Sequence, residues 1–453
     1  MRRKLLVAVL AVVTLVATLV IGGGAAEAHR RPPTRFRPVV FVHGFVGSGG
    51  QFETQAMRFA SNGYPIDAVG VQEYDSLFAT ITREGVWDEL DSTIDALRAR
   101  YHADKVDLVG HSLGTSMSQG YLNSSPERAA RVAHYANLDG APAAGPPAGI
   151  PTVAVWAEGN QGGSIPGATN VYLPDQSHVQ AATSAETFAA MYELFNGQKP
   201  KTTSIVRQHR VSLAGRVQAF PSNAPASADT LQIWEVDGRT GFRRGSRPAA
   251  TLPLRADGSW GPFWGSSHKH YEMAVSRQGS THHFYAQPFL RSDHQIHLLS
   301  QDPGTGLDAL REKSDTTATL TLVRYKELWG NQGAGSDVLT LNGTNVLTPA
   351  IAPRTKRLNG LFAFDAGLDG VTDLSAPIPS MAGLPFLSGA DINLPATTPP
   401  SSSIGIVLTP RGGGAPNVIN VPAWPSTSNH SSVQFRDFTT PAGCPSEWSH
   451  HCR

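Results

Sequence analysis

The chain has 453 residues, a formal net charge of +1, 16% charged and 40% hydrophobic residues. That length is enough for about three domains of ordinary size, and a charge this close to zero offers no basic face, so nucleic acid is not an expected partner. Gly (45) and Pro (33) are frequent; together they make up about 17% of the chain against a usual ~12%, which points to many turns and much β structure.

Residues 1–28 carry a basic start (Arg2, Arg3, Lys4), an apolar stretch from Leu5 to Ile21 and the small-residue site Ala26-Glu27-Ala28. This is the pattern of a secretory signal peptide. It predicts a secreted, extracellular protein with no transmembrane segment in the mature chain. The segment holds three basic groups and one acid, so its removal takes the net charge from +1 to −1.

Pro38 to Val42 then reads as a buried strand ending in His43-Gly44-Phe45, followed by a loop with Gly47, Gly49 and Gly50. Gln51 to Asn62 has helical spacing, with Phe52, Ala56 and Phe59 on one face and Gly63 where a helix stops. Ile66 to Val71 is the next strand, and Val86, Leu90, Ile94, Leu97 and Tyr101 mark a second amphipathic helix. Val106 to Val109 is a short apolar strand running into Gly110-His111-Ser112-Leu113-Gly114, after which Thr115 to Leu122 suits a helix. Three further strand-like runs follow, Val132–Leu138, Pro151–Trp156 and Ala168–Leu173. Thr183-Ser184-Ala185-Glu186 reads as a capping box opening a last helix that Gly197 closes. Strands alternating with helices over 38–198 predict an α/β domain, a mostly parallel sheet with helices on both faces.

Gln198-Lys199-Pro200-Lys201 reads as a linker, and beyond it the hydrophobic period changes to alternation. Short strands separated by turns such as Asp237-Gly238 and Asp257-Gly258 predict two β-sandwich-like modules, 204–300 and 316–440. Trp260, Phe263 and Trp264 form an aromatic cluster that suits a β-sandwich core and turn. Six histidines, His268, His270, His282, His283, His294 and His297, show no spacing tied to a metal site. The two cysteines, Cys444 and Cys452, lie in the tail at 441–453, where an exported chain would join them in a disulfide.

The chemistry gathers at the carboxyl ends of the first-domain strands, where reactive groups lie in such sheets. Strand, tight turn and helix around Ser112 make G-x-S-x-G a nucleophile elbow, with the hydroxyl projecting from a strained turn and glycines where side chains would collide. The order Ser, acid, His along the chain then leaves His134 and His178. His134 falls mid-strand, whereas His178 follows the last strand in a loop. Asp139 and Glu158 each follow a strand, and Asp139 is the shorter, stiffer acid for orienting the ring. The backbone N–H groups of Phe45 and Leu113 are the candidate oxyanion hole.

His43-Gly44-Phe45, the Ser112 pentapeptide and the late His178 resemble the lipases and esterases of the α/β-hydrolase superfamily. Asn137-Leu138-Asp139-Gly140 resembles the variant in which the acid follows the strand after the nucleophile helix, as in pancreatic-type lipases. Gln51–Gln55 and Arg58–Pro65 resemble archaeal and bacterial two-domain lipases with a C-terminal β region. The resemblance implies a cofactor-free carboxylic ester hydrolase acting on acyl lipids such as triacylglycerols, with Ser112, Asp139 and His178 as triad. A polyesterase or cutinase-like enzyme whose β modules bind polymer or carbohydrate is the alternative, and a non-catalytic surface-binding protein is another. Ser112 and His178 lie only 66 positions apart, too close for a large helical lid, so any cover must come from elsewhere, for example Tyr74 to Gly85. With every reacting group before residue 199, the β region is expected to set substrate class rather than chemistry.

Overall fold

The computed structural model describes residues 36–226, 230–277 and 279–437. The predicted signal peptide at 1–28 and the Cys444–Cys452 pair lie outside the described residues. Six strands, β1 (Val39–Val42), β2 (Val69–Gln72), β3 (Val106–His111), β4 (Val132–Leu138), β5 (Thr152–Ala157) and β6 (Thr169–Leu173), form one sheet in the order β2-β1-β3-β4-β5-β6. All neighbours run parallel. Between them come α1 (Glu53–Ser61), α2 (Arg83–Tyr101), α3 (Leu113–Ser124) and α4 (Pro126–Ala130), with α5 (His178–Thr183) and α6 (Ala185–Asn196) after the last strand.

The two-residue period of β1 explains why helices cover both faces. Val39 and Phe41 pack with Phe52, Phe59, Phe188 and Phe195 from the α1 and α6 side. Val40 and Val42 pack with Leu90, Ile94, Met117 and Tyr121 from α2 and α3. The strand order reverses between β1 and β3, so the loop after β1 and the turn after β3 open onto one crevice, where ligands bind in open α/β sheets.

Local signals shifted slightly from expectation. Ile66–Ala68 forms a 3-10 turn after Pro65, and the strand begins at Val69. The cap of α6 is Ser184 rather than Thr183: its hydroxyl accepts from the Thr187 N–H at 3.2 Å. Thr183 instead closes α5, and its hydroxyl donates to the carbonyl of Tyr325 at 3.0 Å.

Beyond the linker all the longer elements are strands: β7 (Arg210–Gln218), β8 (Thr230–Val236), β9 (Ala250–Leu252), β10 (Ser259–Ser266), β11 (His270–Arg277), β12 (Ser280–Ala286), β13 (Asp293–Leu299), β14 (Leu320–Leu328), β15 (Val338–Leu341), β16 (Thr344–Asn345), β17 (Leu358–Phe364), β18 (Leu387–Asp391), β19 (Ser403–Thr409), β20 (Asn417–Pro422) and β21 (Asn429–Phe435). They build a large sheet, β18-β17-β14-β21-β12-β11-β8-β9, flanked by β10-β7-β13 and by β16-β15-β19-β20. Alternation decides which face meets which small sheet. Ile233, Met273 and Val275 pack with Val211, Leu213 and Ile296, while Trp234 and Ala274 join Leu320, Val433, Ile404 and Val421. The two predicted modules, 204–300 and 316–440, are thus joined through the large sheet, where β21 pairs in parallel with both β12 and β14. Among the described residues no helix is long and apolar enough to cross a membrane.

Candidate active site

Ser112 sits between β3 and α3 with φ 55° and ψ −122°, a backbone that L-residues rarely adopt. Its neighbours explain the pentapeptide. A Cβ on Gly110 would stand 2.5 Å from the Gly114 carbonyl oxygen, and one on Gly114 would stand 2.2 Å from that of Val42. The turn therefore closes only without those side chains. Gly114→Ala is expected to destabilise the fold by about 3 kcal/mol, since the obstacle is backbone rather than a flexible side chain. Urea unfolding measures this, and wild-type stability would mean that β1 yields freely at the elbow.

The loop after β1 presses against the serine. A Cβ on Gly44 would stand 2.7 Å from Ser112 Cβ and 3.2 Å from its Oγ. The Gly47 N–H donates to the Gly44 carbonyl at 3.1 Å, and the Val46 N–H donates to Ser76 Oγ at 2.8 Å. Phe45 is thereby held at the corner of a fixed turn. Leu113 is the first residue of α3, so its N–H has no acceptor within the helix.

His178 is the first residue of α5. Its Nδ1–H donates to Asp139 Oδ2 at 2.6 Å. The other carboxylate oxygen of Asp139 accepts from the Ala157 N–H at 2.8 Å. Burial opposes the charge on Asp139, but the His178 contact outweighs it, the Ala157 N–H adds to it, and the carboxyl stays below its usual range. Asp139 itself adopts φ 42°. Gly140 is needed for another reason, close approach: a Cβ there would stand 2.1 Å from Thr115 Oγ1 and 2.5 Å from the Ser112 carbonyl.

The structure brings Asp139, not Glu158, to His178. Glu158 is occupied by an ion pair with Arg354. His134 hydrogen-bonds Asp107 at 2.7 Å, on the opposite part of β3 from Ser112. Nothing in the pentapeptide pattern marks His111, yet it packs against His178 in the site. Its Nε2–H donates to the His178 carbonyl at 3.2 Å, and its Nδ1 accepts from Gln51 Nε2 at 2.9 Å. Burial pushes its pKa well below the usual imidazole value, so it stays neutral and fixes the backbone at His178.

Ser112, His178, Gly44 and Phe45 line one cavity, of about 180 Å³. Its far walls come from the β region and are mainly apolar: Phe220, Met273, Phe284, Leu298, Val323 and Phe362. Tyr74 to Gly85, the example of a cover offered by the sequence, does not line this cavity. That segment is tied to itself, Asp75 accepting from the N–H groups of Leu77, Ala79 and Thr80 at 3.0 Å each. The β region also grips the six-stranded sheet's domain through ion pairs. The buried Glu73 carboxylate meets His297 Nε2 at 2.8 Å and accepts from the Gly49 N–H at 2.8 Å. Burial works against its charge, but His297, His43 and Gly49 bring its pKa to about 2. Other histidines have equally specific partners: His283 meets Glu272, His294 meets Asp67, and His282 bonds Ser300 and Ser432. Trp260 is buried in the β core, whereas Trp264 is exposed and stacks with Arg210.

A six-stranded parallel sheet with this elbow at its switch point has the architecture of an α/β-hydrolase fold, and a β-rich region follows it. Residues 209–303 match the family model of the lipase C-terminal domain, and residues 306–439 match a second model, of a C-terminal domain. No curated protein matches the chain by sequence. Solved structures similar to it include an α/β hydrolase from the metagenome of lagoon sediments of Mar Chica, Morocco, at 13% identity and a TM-score of 0.28, covering 36% of this chain and 92% of that one. A probable hydrolytic enzyme from Pseudomonas aeruginosa is 13% identical with a TM-score of 0.26, covering 36% and 86%. Phospholipase PlaB from Legionella pneumophila is 8% identical with a TM-score of 0.23, covering 88% and 93%. With scores this low, the fold assignment rests on the sheet and the elbow themselves.

Proposed function

We propose that the chain is a secreted serine carboxylic ester hydrolase that acts on long-chain acyl esters, acylglycerols among them. The observation that carries this reading is the Asp139–His178 hydrogen bond of 2.6 Å beside a cavity that Ser112 and apolar β-region side chains share. His178 Nε2 takes the proton of Ser112 Oγ as the oxygen attacks the ester carbonyl. Asp139 holds the imidazole in the required tautomer and stabilises its cation. The N–H groups of Phe45 and Leu113 receive the oxyanion. His178 then protonates the leaving alcohol, and water, activated by the same imidazole, hydrolyses the acyl-enzyme.

The apolar walls supply the preference for long chains. Each CH₂ removed from water is worth about 0.8 kcal/mol, so ten extra carbons are a large binding contribution to spend at the reacting centre. Val323→Trp, which fills the cavity from β14, is expected to lower palmitoyl ester hydrolysis at least about tenfold more than butyryl ester hydrolysis. Initial rates on both esters measure this. Equal losses would mean that the acyl chain lies elsewhere and would favour the polyester reading.

A further inference from the structure

We infer that Glu327 is a positioning residue for His178, so that the β region takes part in the chemistry as well as in substrate binding. The inference rests on the triad reading above. Pairing between β14 and β17 slips between Val323 and Leu328, and the strand bulges over the hydrolase domain there. Arg324 anchors the bulge from inside, donating to Asp337 at 2.8 Å and to Asp437 at 2.9 Å.

Glu327 is fully buried, and both of its oxygens face the start of α5. Oε1 accepts from the Val179 N–H at 2.6 Å. Oε2 accepts from the Gln180 N–H at 3.2 Å and from the Ser177 hydroxyl. These three donors flank His178 on both sides. The first N–H groups of a helix have no internal acceptor, and here a carboxylate from another part of the chain fills that need. Arg411 completes the clasp, its Nη2 donating to Ser177 Oγ at 3.2 Å and to Gln180 Oε1 at 2.9 Å, and its Nη1 to Asp337 at 2.7 Å. At the other end of α5, Thr183 donates to the Tyr325 carbonyl at 3.0 Å.

A six-residue helix cannot hold its own geometry in isolation. Asp139 orients the imidazole ring, while Glu327 fixes the backbone that carries it. The hydrolase domain therefore holds all the reacting groups but only part of the means of placing His178: Asp139 and His111 reach the ring and the carbonyl of His178, while the clasp on the Ser177, Val179 and Gln180 donors comes from the β region, which on this inference does more than set substrate class.

The test uses the full chain and a soluble short ester, p-nitrophenyl butyrate, which makes little use of the long cavity. Glu327→Gln keeps the size and one acceptor but turns an NH₂ group toward donors. The expected result is a kcat lowered about ten- to hundredfold, as a sub-ångström to ångström misplacement of a reacting group would cost, with KM within about threefold and the circular dichroism spectrum unchanged. Labelling of Ser112 by an ethyl phosphonate should slow in parallel. Wild-type kcat in folded E327Q would overturn the inference. If E327Q does not fold, Ser177→Ala removes one of the three donors: a severalfold fall in kcat at unchanged KM supports the inference, and wild-type kcat overturns it. Ser112→Ala, run alongside, separates the two levels: if it remains active, the triad reading fails; if it is inactive while E327Q is normal, only the positioning role fails.

Discussion

Ser112→Ala is expected to abolish ester hydrolysis, a loss on the order of 10⁴-fold or more, without unfolding the protein. The substitution removes the attacking oxygen and leaves the elbow as it is. Alanine meets the same strain as serine at φ 55°, and it adds nothing to the close approach of Gly44. The measurements are kcat on a butyryl ester and the thermal melt of the variant. A folded alanine variant with wild-type rate would put the nucleophile elsewhere and leave the strained turn without a function.

Asp139→Asn is expected to lower kcat/KM by roughly 10⁴-fold. The amide retains an acceptor for the Ala157 N–H, so the turn survives. Its effect falls on the imidazole: an amide NH₂ facing Nδ1 favours the tautomer whose Nε2 carries a proton and cannot accept that of Ser112. Glu158→Gln is the matched control and should change the rate by less than about tenfold, because Glu158 is paired with Arg354 and not with His178. The reverse pattern would move the acid to the end of β5.

The part of this architecture legible in the sequence is the part governed by short-range rules. Continuous apolar runs such as Val39–Val42 mark strands buried on both faces, and the glycines around Ser112 record steric limits that act within a few residues. The chain order of Ser112, Asp139 and His178 follows from the topology of a singly connected parallel sheet. What was not legible depends on contacts between residues far apart. Nothing local to Glu327 or Arg411 says that they clasp α5, since their partners lie about 150 and 230 positions earlier. The role of His111 likewise needs Gln51 and the His178 carbonyl in place. The cavity walls are strand residues of ordinary β pattern, and only the docking of the large sheet over the crevice makes them line the space beside Ser112. Glu158 shows the opposite case, an acid well placed by sequence that the β region claims through Arg354.

The central claim, that Ser112 is the nucleophile of an acyl-transfer site served by an apolar cavity, is tested most directly by covalent labelling. The full chain is treated with p-nitrophenyl alkylphosphonates carrying ethyl or hexadecyl chains, digested, and mapped by mass spectrometry, with the labelling rate followed by p-nitrophenolate release. The expected result is one adduct per chain, on Ser112, forming faster with the hexadecyl than with the ethyl reagent. An adduct on any other residue, or an intact Ser112 peptide after prolonged exposure to both reagents, would contradict it.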